Sequence, residues 1–142
     1  MKEISSTYDQ RPILMIDDDR EDLEMARELL RSLDIPNEMI TFSNPLAALD
    51  FLQNRTNPFP IFIICDVNMP RMDGFEFRAE LLKDPELKRL PFFFLSTSKS
   101  PGEMVLANEC GVTGYYQKAG SYKEQGNILE AMFREAMANS SA

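Results

Sequence analysis

The chain has 142 residues, a formal net charge of −8 and no histidine. That length suits one domain burying roughly 68–70% of its unfolded surface, without a disulfide or structural metal. The charge disfavours nucleic acid and anionic membranes as partners, and the missing histidine excludes histidine triads, histidine metal sites and an internal phosphohistidine. Cys65 and Cys110 lie among apolar neighbours, which points to a reducing compartment rather than a disulfide framework. The N-terminus lacks the apolar core of a signal peptide and no run reaches membrane-span length, so a cytoplasmic location is expected.

Residues 1–10 are polar and read as a flexible tail. The apolar run Pro12 to Ile16 then ends in Asp17-Asp18-Asp19. From Arg20 to Leu33, the residues Leu23, Ala26, Leu30 and Leu33 recur at helical spacing, flanked by Met25 and Leu29. Arg20, Glu21, Glu24, Arg27, Glu28 and Arg31 form the opposite, charged face. Ile35-Pro36-Asn37 breaks this helix, and Met39 to Phe42 is a short strand. Ser43 or Asn44 caps a helix with Pro45 in its first turn and Leu46, Ala48, Leu49 and Leu52 inside.

Ile61 to Cys65 runs without a polar break into Asp66, and such a run reads as a strand buried on both faces, as in a parallel sheet. The chain turns through Asn68-Met69-Pro70 and restarts at Asp73-Gly74, an N-cap for a helix that buries Phe75, Leu81 and Leu82 and stops at Asp84-Pro85. Pro91 to Leu95 is a further apolar strand, core rather than binding surface, ending in Ser96-Thr97-Ser98. A helix through Met104, Val105 and Ala107 stops at Gly111. Gly114 to Gln117 is a short strand before Lys118. The last helix, Tyr122 to Ala138, carries Ile128, Leu129, Met132, Phe133 and Ala136 at helical spacing, with 139–142 as a fraying tail.

Strands and helices thus alternate over residues 11–138 with no repeat, linker or change of composition. Alternation implies a single doubly wound α/β domain, a parallel sheet with helices on both faces. All strand ends then face one rim, where open α/β sheets place their chemistry. Asp17, Asp18, Asp66, Ser96 and Lys118 meet there. Three carboxylates repel one another unless a hard cation sits between them, and an all-oxygen set favours Mg²⁺ or Mn²⁺. The backbone carbonyl of Asn68 can add a ligand, Lys118 suits a phosphate, and the Ser96 hydroxyl can donate to one. Each residue alone has a plainer reading, as a helix cap or a solvated lysine. The conjunction in this order argues against that.

The span from Arg11 to Ala138 resembles the receiver domain of two-component response regulators. The resemblance rests on Ile13-Leu14-Met15-Ile16-Asp17-Asp18-Asp19, on Asp66-Val67-Asn68-Met69-Pro70-Arg71-Met72-Asp73-Gly74, on Ser96, and on Gly114-Tyr115-Tyr116-Gln117-Lys118. It implies a flavodoxin-like, three-layer fold with a five-stranded parallel sheet of order 2-1-3-4-5. It also implies that Asp66 accepts a phosphoryl group from a histidine kinase or histidine phosphotransfer protein. Asp17 and Asp18 would hold Mg²⁺, Asp18 more directly, with Asp66 and the Asn68 carbonyl. Ser96 and Lys118 would move towards the phosphate, and Tyr115 would turn inward and change the face of the fourth helix, fifth strand and fifth helix.

The function expected is a phosphorylation-switched module of a phosphorelay, with no attached output domain, acting by contact with a downstream protein. Its only catalysis would be its own phosphorylation and dephosphorylation at Asp66. The alternatives are a constitutive binding scaffold that kept the fold and lost the switch, or a Mg²⁺-dependent aspartyl-phosphate phosphatase of the haloacid dehalogenase type. The latter needs a second aspartate two residues after the nucleophile, where this chain has Asn68. Ala119 departs from the family, which usually has proline after the lysine. A cis bond before a residue other than proline costs roughly 2.5–4 kcal/mol, so a trans Lys118–Ala119 bond with the turn at Gly120 is expected.

Overall fold

A computed structural model describes residues 10–140 apart from residue 99. The three longest apolar runs form the middle of the sheet: β1 (Ile13–Ile16), β3 (Phe62–Cys65) and β4 (Phe92–Ser96), buried at every position. The less apolar β2 (Met39–Phe42) and β5 (Gly114–Gln117) take the two edges, where burial is partial. All neighbours are parallel and the order is β2-β1-β3-β4-β5. This is the flavodoxin-like order expected.

Parallel strands need crossovers, and the helices between them supply these, with a fifth long helix after the last strand. They are α1 (Arg20–Ser32), α2 (Pro45–Gln53), α3 (Gly74–Leu81), α4 (Pro101–Glu109) and α5 (Tyr122–Ser140). Alternate residues of each strand feed opposite faces. Ile13, Met15, Phe62, Ile64, Phe93 and Leu95 pack with Leu23, Leu30, Leu129 and Met132 of α1 and α5. Leu14, Ile16, Ile63, Cys65, Phe92 and Phe94 pack with Leu49, Leu52, Phe77 and Ala107 of α2, α3 and α4. The result is three layers with two cores.

The helix boundaries follow capping chemistry. Asp19 caps α1 by accepting from the backbone of Glu21 and Asp22, Asn44 rather than Ser43 caps α2, and Asp73 with Glu76 forms a reciprocal capping box on α3. Gly111 ends α4 in the left-handed region, φ 68°. The α1 helix stops at Ser32, ahead of Pro36, because Asp34 turns left-handed at φ 58°.

Several expected positions differ. Leu46, expected inside, is exposed, and α4 buries only Ala107 while Met104 and Val105 face outward. In α3 the fully buried aromatic is Phe77, while Phe75 and Leu82 are half-buried. Beyond α3 a single helical turn, Pro85–Lys88, is capped by Asp84, so Asp84-Pro85 starts a turn as well as ending a helix. The N-terminal tail falls outside the described residues except for Gln10, as do Ser141 and Ala142. The last helix runs two residues beyond Ala138, to Ser140.

Candidate functional site at the strand ends

The β1–β3 register places Ile16 beside Cys65, so the next residues, Asp17 and Asp66, emerge side by side at the carboxyl rim. Asp17 is 1% and Asp66 7% exposed. The backbone of Asp66 stays tied to β1 through its N–H, which donates to Ile16 O at 2.9 Å. Asp18 is exposed, yet its carboxylate joins those of Asp17 and Asp66, with one oxygen of each within 4.8 Å of the others. Asp19 does not join them. It caps α1, while the Asp19 N–H donates to Asp17 Oδ1 at 2.9 Å and helps fix that side chain.

Lys118 follows β5 and is the cation beside this cluster. Its Nζ lies 2.9 Å from Asp17 Oδ2 and 2.8 Å from Asp22 Oδ2, but 3.8 Å from Asp66 Oδ2. Burial, then the Asp17 carboxylate, raise the Asp66 pKa to about 7, with Lys118 opposing. Burial also raises Asp17, against the Asp19 N–H and Lys118. Burial alone would lower Lys118, but bonds to Asp22 and Asp17 prevail and hold it protonated. The site thus carries more negative charge than one ammonium balances. All its donors are oxygens, so a hard divalent cation fits it.

Ser96, the last residue of β4, is fully buried. Its Oγ accepts from the Ser98 N–H at 3.1 Å and donates to Glu103 Oε1 at 3.2 Å. The Tyr115 hydroxyl lies 2.8 Å from Ser98 O and 2.6 Å from Glu103 Oε1. Burial and the Glu103 carboxylate raise the phenol pKa. Asn68 is exposed in the loop after β3. Gly74 closes that loop, donating from its N–H to Val67 O at 2.7 Å.

The rim therefore gathers Asp17, Asp18, Asp66 and Lys118, with Ser96 and Tyr115 joined to each other through Glu103. Sequence reading overlooked Asp22 and Glu103. Asp22 sits outside the charged face of α1, a signal that was available. Glu103 sits three residues after Ser100, the spacing of a capping box. No peptide bond is cis among the described residues, so Lys118–Ala119 is trans as expected. Gly120 lies in the bend but has no positive φ; the Ala119 N–H instead donates to Gln125 Oε1 of α5 at 2.8 Å and fixes the turn.

Residues 13–130 match the response regulator receiver domain, and the chain belongs to that family. Receiver domains are signalling modules of two-component systems rather than conventional enzymes. The response regulator Rcp1 of Synechocystis sp. is 34% identical over 124 residues, 84% of each chain. The crystal structure of its Mn²⁺-bound form superposes with a TM-score of 0.78 at 31% identity, covering 86% of this chain and 91% of that one. The phosphorylated cyanobacterial phytochrome response regulator RcpA gives a TM-score of 0.80 at 27% identity, covering 87% and 91%. The two-component response regulator ORR26 of Oryza sativa is 31% identical over 125 residues, which make up 88% of this chain but only 20% of that protein. No helix among the described residues is long and apolar enough to cross a membrane.

If the three carboxylates hold a cation, removing one of them should weaken its binding more than removing a neighbouring acid outside the cluster. Asp18→Ala is expected to weaken Mg²⁺ binding at least tenfold, and Asp19→Ala less than twofold, because Asp19 is engaged as the α1 cap. Mg²⁺ titration of both variants checks this, and equal losses would count against the assignment.

Proposed function

We propose that the chain is a phosphorylation-switched signalling module in which Asp66 accepts a phosphoryl group from a histidine kinase or a histidine phosphotransfer protein. The observation that carries this reading is a carboxylate at the end of a buried central strand, within 4.8 Å of two others and 3.8 Å from Lys118 Nζ. The Asp66 carboxylate oxygen forms a bond to phosphorus, the P–N bond of the phosphohistidine breaks, and its electron pair returns to the imidazole nitrogen. A divalent cation bound by Asp17, Asp18, Asp66 and the Asn68 carbonyl would offset the charge of the transferred oxygens. Mg²⁺ is the expected ion, and the Mn²⁺ form of Rcp1 supports a divalent site of this kind.

Lys118, now committed to Asp17 and Asp22, is the group that can turn to the phosphoryl oxygens, and the Ser96 hydroxyl is a second donor to them. Movement of Ser96 and Tyr115 changes the face built from α4, β5 and α5, through which the module contacts a downstream protein. A cytoplasmic location is part of this reading. The test is incubation with acetyl phosphate and Mg²⁺ followed by intact mass. One added phosphoryl group per chain is expected. No gain under any metal condition would favour a constitutive scaffold.

The acyl phosphate should also hydrolyse without a partner. Asn68 and Ser98, two residues beyond Asp66 and Ser96, are small and leave water a path to the phosphorus. Ser98→Arg is expected to slow the decay several-fold by obstruction. The mass-resolved decay rate checks this, and an unchanged rate would remove the steric argument.

A further inference from the structure

Three helices, α3, α4 and α5, carry the same code at their starts, a capping residue followed three positions later by glutamate; at α5 Ser121 Oγ accepts from the Glu124 N–H at 3.1 Å. At α3 the box closes: Asp73 accepts from the Glu76 N–H, and Glu76 Oε1 accepts from the Asp73 N–H, both at 2.8 Å. At α4 only half of it forms. Ser100 Oγ accepts from the Glu103 N–H at 3.2 Å, but the Ser100 N–H donates to Ser98 Oγ instead of to Glu103. The Glu103 carboxylate is turned away from its own cap. Its Oε1 meets both the Ser96 hydroxyl and the Tyr115 hydroxyl.

One anionic oxygen is thus the shared partner of a fully buried serine at the end of β4 and a tyrosine on β5, and it belongs to the first turn of α4. A carboxylate is a stronger acceptor than a neutral group, and bonds to it are correspondingly stronger. Ser96 has one proton to donate. It cannot serve Glu103 and a phosphoryl oxygen on Asp66 together.

We propose that Glu103 is a positioning residue that couples occupancy of Asp66 to the α4 surface. It holds Ser96 and Tyr115 together while Asp66 is bare, and it is released from Ser96 when a phosphoryl group takes the serine proton. Glu103 is then held by Tyr115 alone, and the first turn of α4 adjusts. The residues that follow it, Met104, Val105 and Leu106, are 45%, 57% and 49% exposed, so the adjustment reaches the surface directly. This rests on the reading of Asp66 as phosphoacceptor and adds the residue that transmits the signal.

The full chain, labelled with ¹⁵N, is titrated with beryllofluoride in Mg²⁺ as a phosphoryl mimic. In the wild type, amide signals of Val67 and of Met104 to Leu106 should both shift. In Glu103→Ala the Val67 response should persist while the α4 response falls by more than half. Beryllofluoride should also bind about fivefold more tightly, the loss of a competing hydrogen bond of about 1 kcal/mol. Glu103→Gln keeps a neutral acceptor oxygen and should restore part of the α4 response, which a purely structural role would not predict. An α4 response in Glu103→Ala equal to that of the wild type overturns the coupling and leaves the Asp66 reading intact. A wild type that shows no Val67 response overturns both.

Discussion

Asp66→Asn is expected to stabilise the metal-free protein at pH 8 by about 2–4 kcal/mol, although it removes the proposed phosphoacceptor. The reason is the uncompensated charge at the rim. Burial and the neighbouring Asp17 raise the Asp66 pKa from 3.8 to about 7. Between those two values the folded state binds the proton more tightly than the unfolded chain does. Stability therefore falls as pH rises from about 4 through about 7, by an amount near 4 kcal/mol at full effect. Lys118 contributes nothing to this slope, because its pKa is raised from an already basic value and it stays charged throughout the window.

An asparagine of the same shape removes the Asp66 titration and the repulsion of Asp17. Some slope remains, since burial raises Asp17 as well. Urea denaturation in a chelator at pH 5 and pH 8 checks the sign: the wild type should lose stability between the two, and Asp66→Asn should lose much less. Saturating Mg²⁺ should recover wild-type stability at pH 8, because a ligand of the folded state stabilises it. A variant no more stable than the wild type at pH 8 without metal would contradict this account of the charge.

Gly74→Ala is expected to cost about 2–3 kcal/mol and to slow phosphorylation about tenfold or more. A Cβ at that position would stand 2.5 Å from Asp66 O, 2.9 Å from Phe94 Cε1 and 3.0 Å from Val67 Cα. Two of those neighbours are backbone of the loop that presents Asp66, so relief must come by moving the proposed acceptor itself. The phenylalanine lies in the core and has little room. Gly120→Ala is the matched control, because a Cβ there meets nothing within 4 Å. Thermal unfolding and the rate of mass gain from acetyl phosphate should separate the two variants. Equal behaviour would show that the loop can absorb the methyl group.

Much of this site was legible in the sequence because the strand ends are abrupt. Unbroken apolar runs stop at Asp17 and Asp66, and a parallel sheet necessarily brings such ends together. Met39–Phe42 and Gly114–Gln117 were read to the residue, since polar or turn-forming neighbours bound them. The burial of short helices was less legible. In α4 three consecutive large apolar residues, Met104 to Leu106, cannot all face one side, and the small Ala107 is the one that packs.

Arg78 was not recognisable as a core residue either. It is 3% exposed, with Nε and Nη2 donating to Cys110 O and Gly111 O beyond α4 and its guanidinium 5.1 Å from the centre of the Phe92 ring. Those partners lie more than thirty residues away. The Asp22–Lys118 pair spans 96 residues. No local pattern announces contacts of that separation, and Glu103 escaped for a related reason: its spacing matched a cap that its side chain does not complete.

The central claim is that phosphorylation occurs at Asp66 and nowhere else. It is tested most directly by treating wild type and Asp66→Asn with acetyl phosphate and Mg²⁺ and comparing intact masses, with the modified peptide located in the wild type. The account predicts one added phosphoryl group on the wild type, on the peptide containing Asp66, and none on the variant. An Asp66→Asn protein that still gains the phosphoryl mass would contradict it.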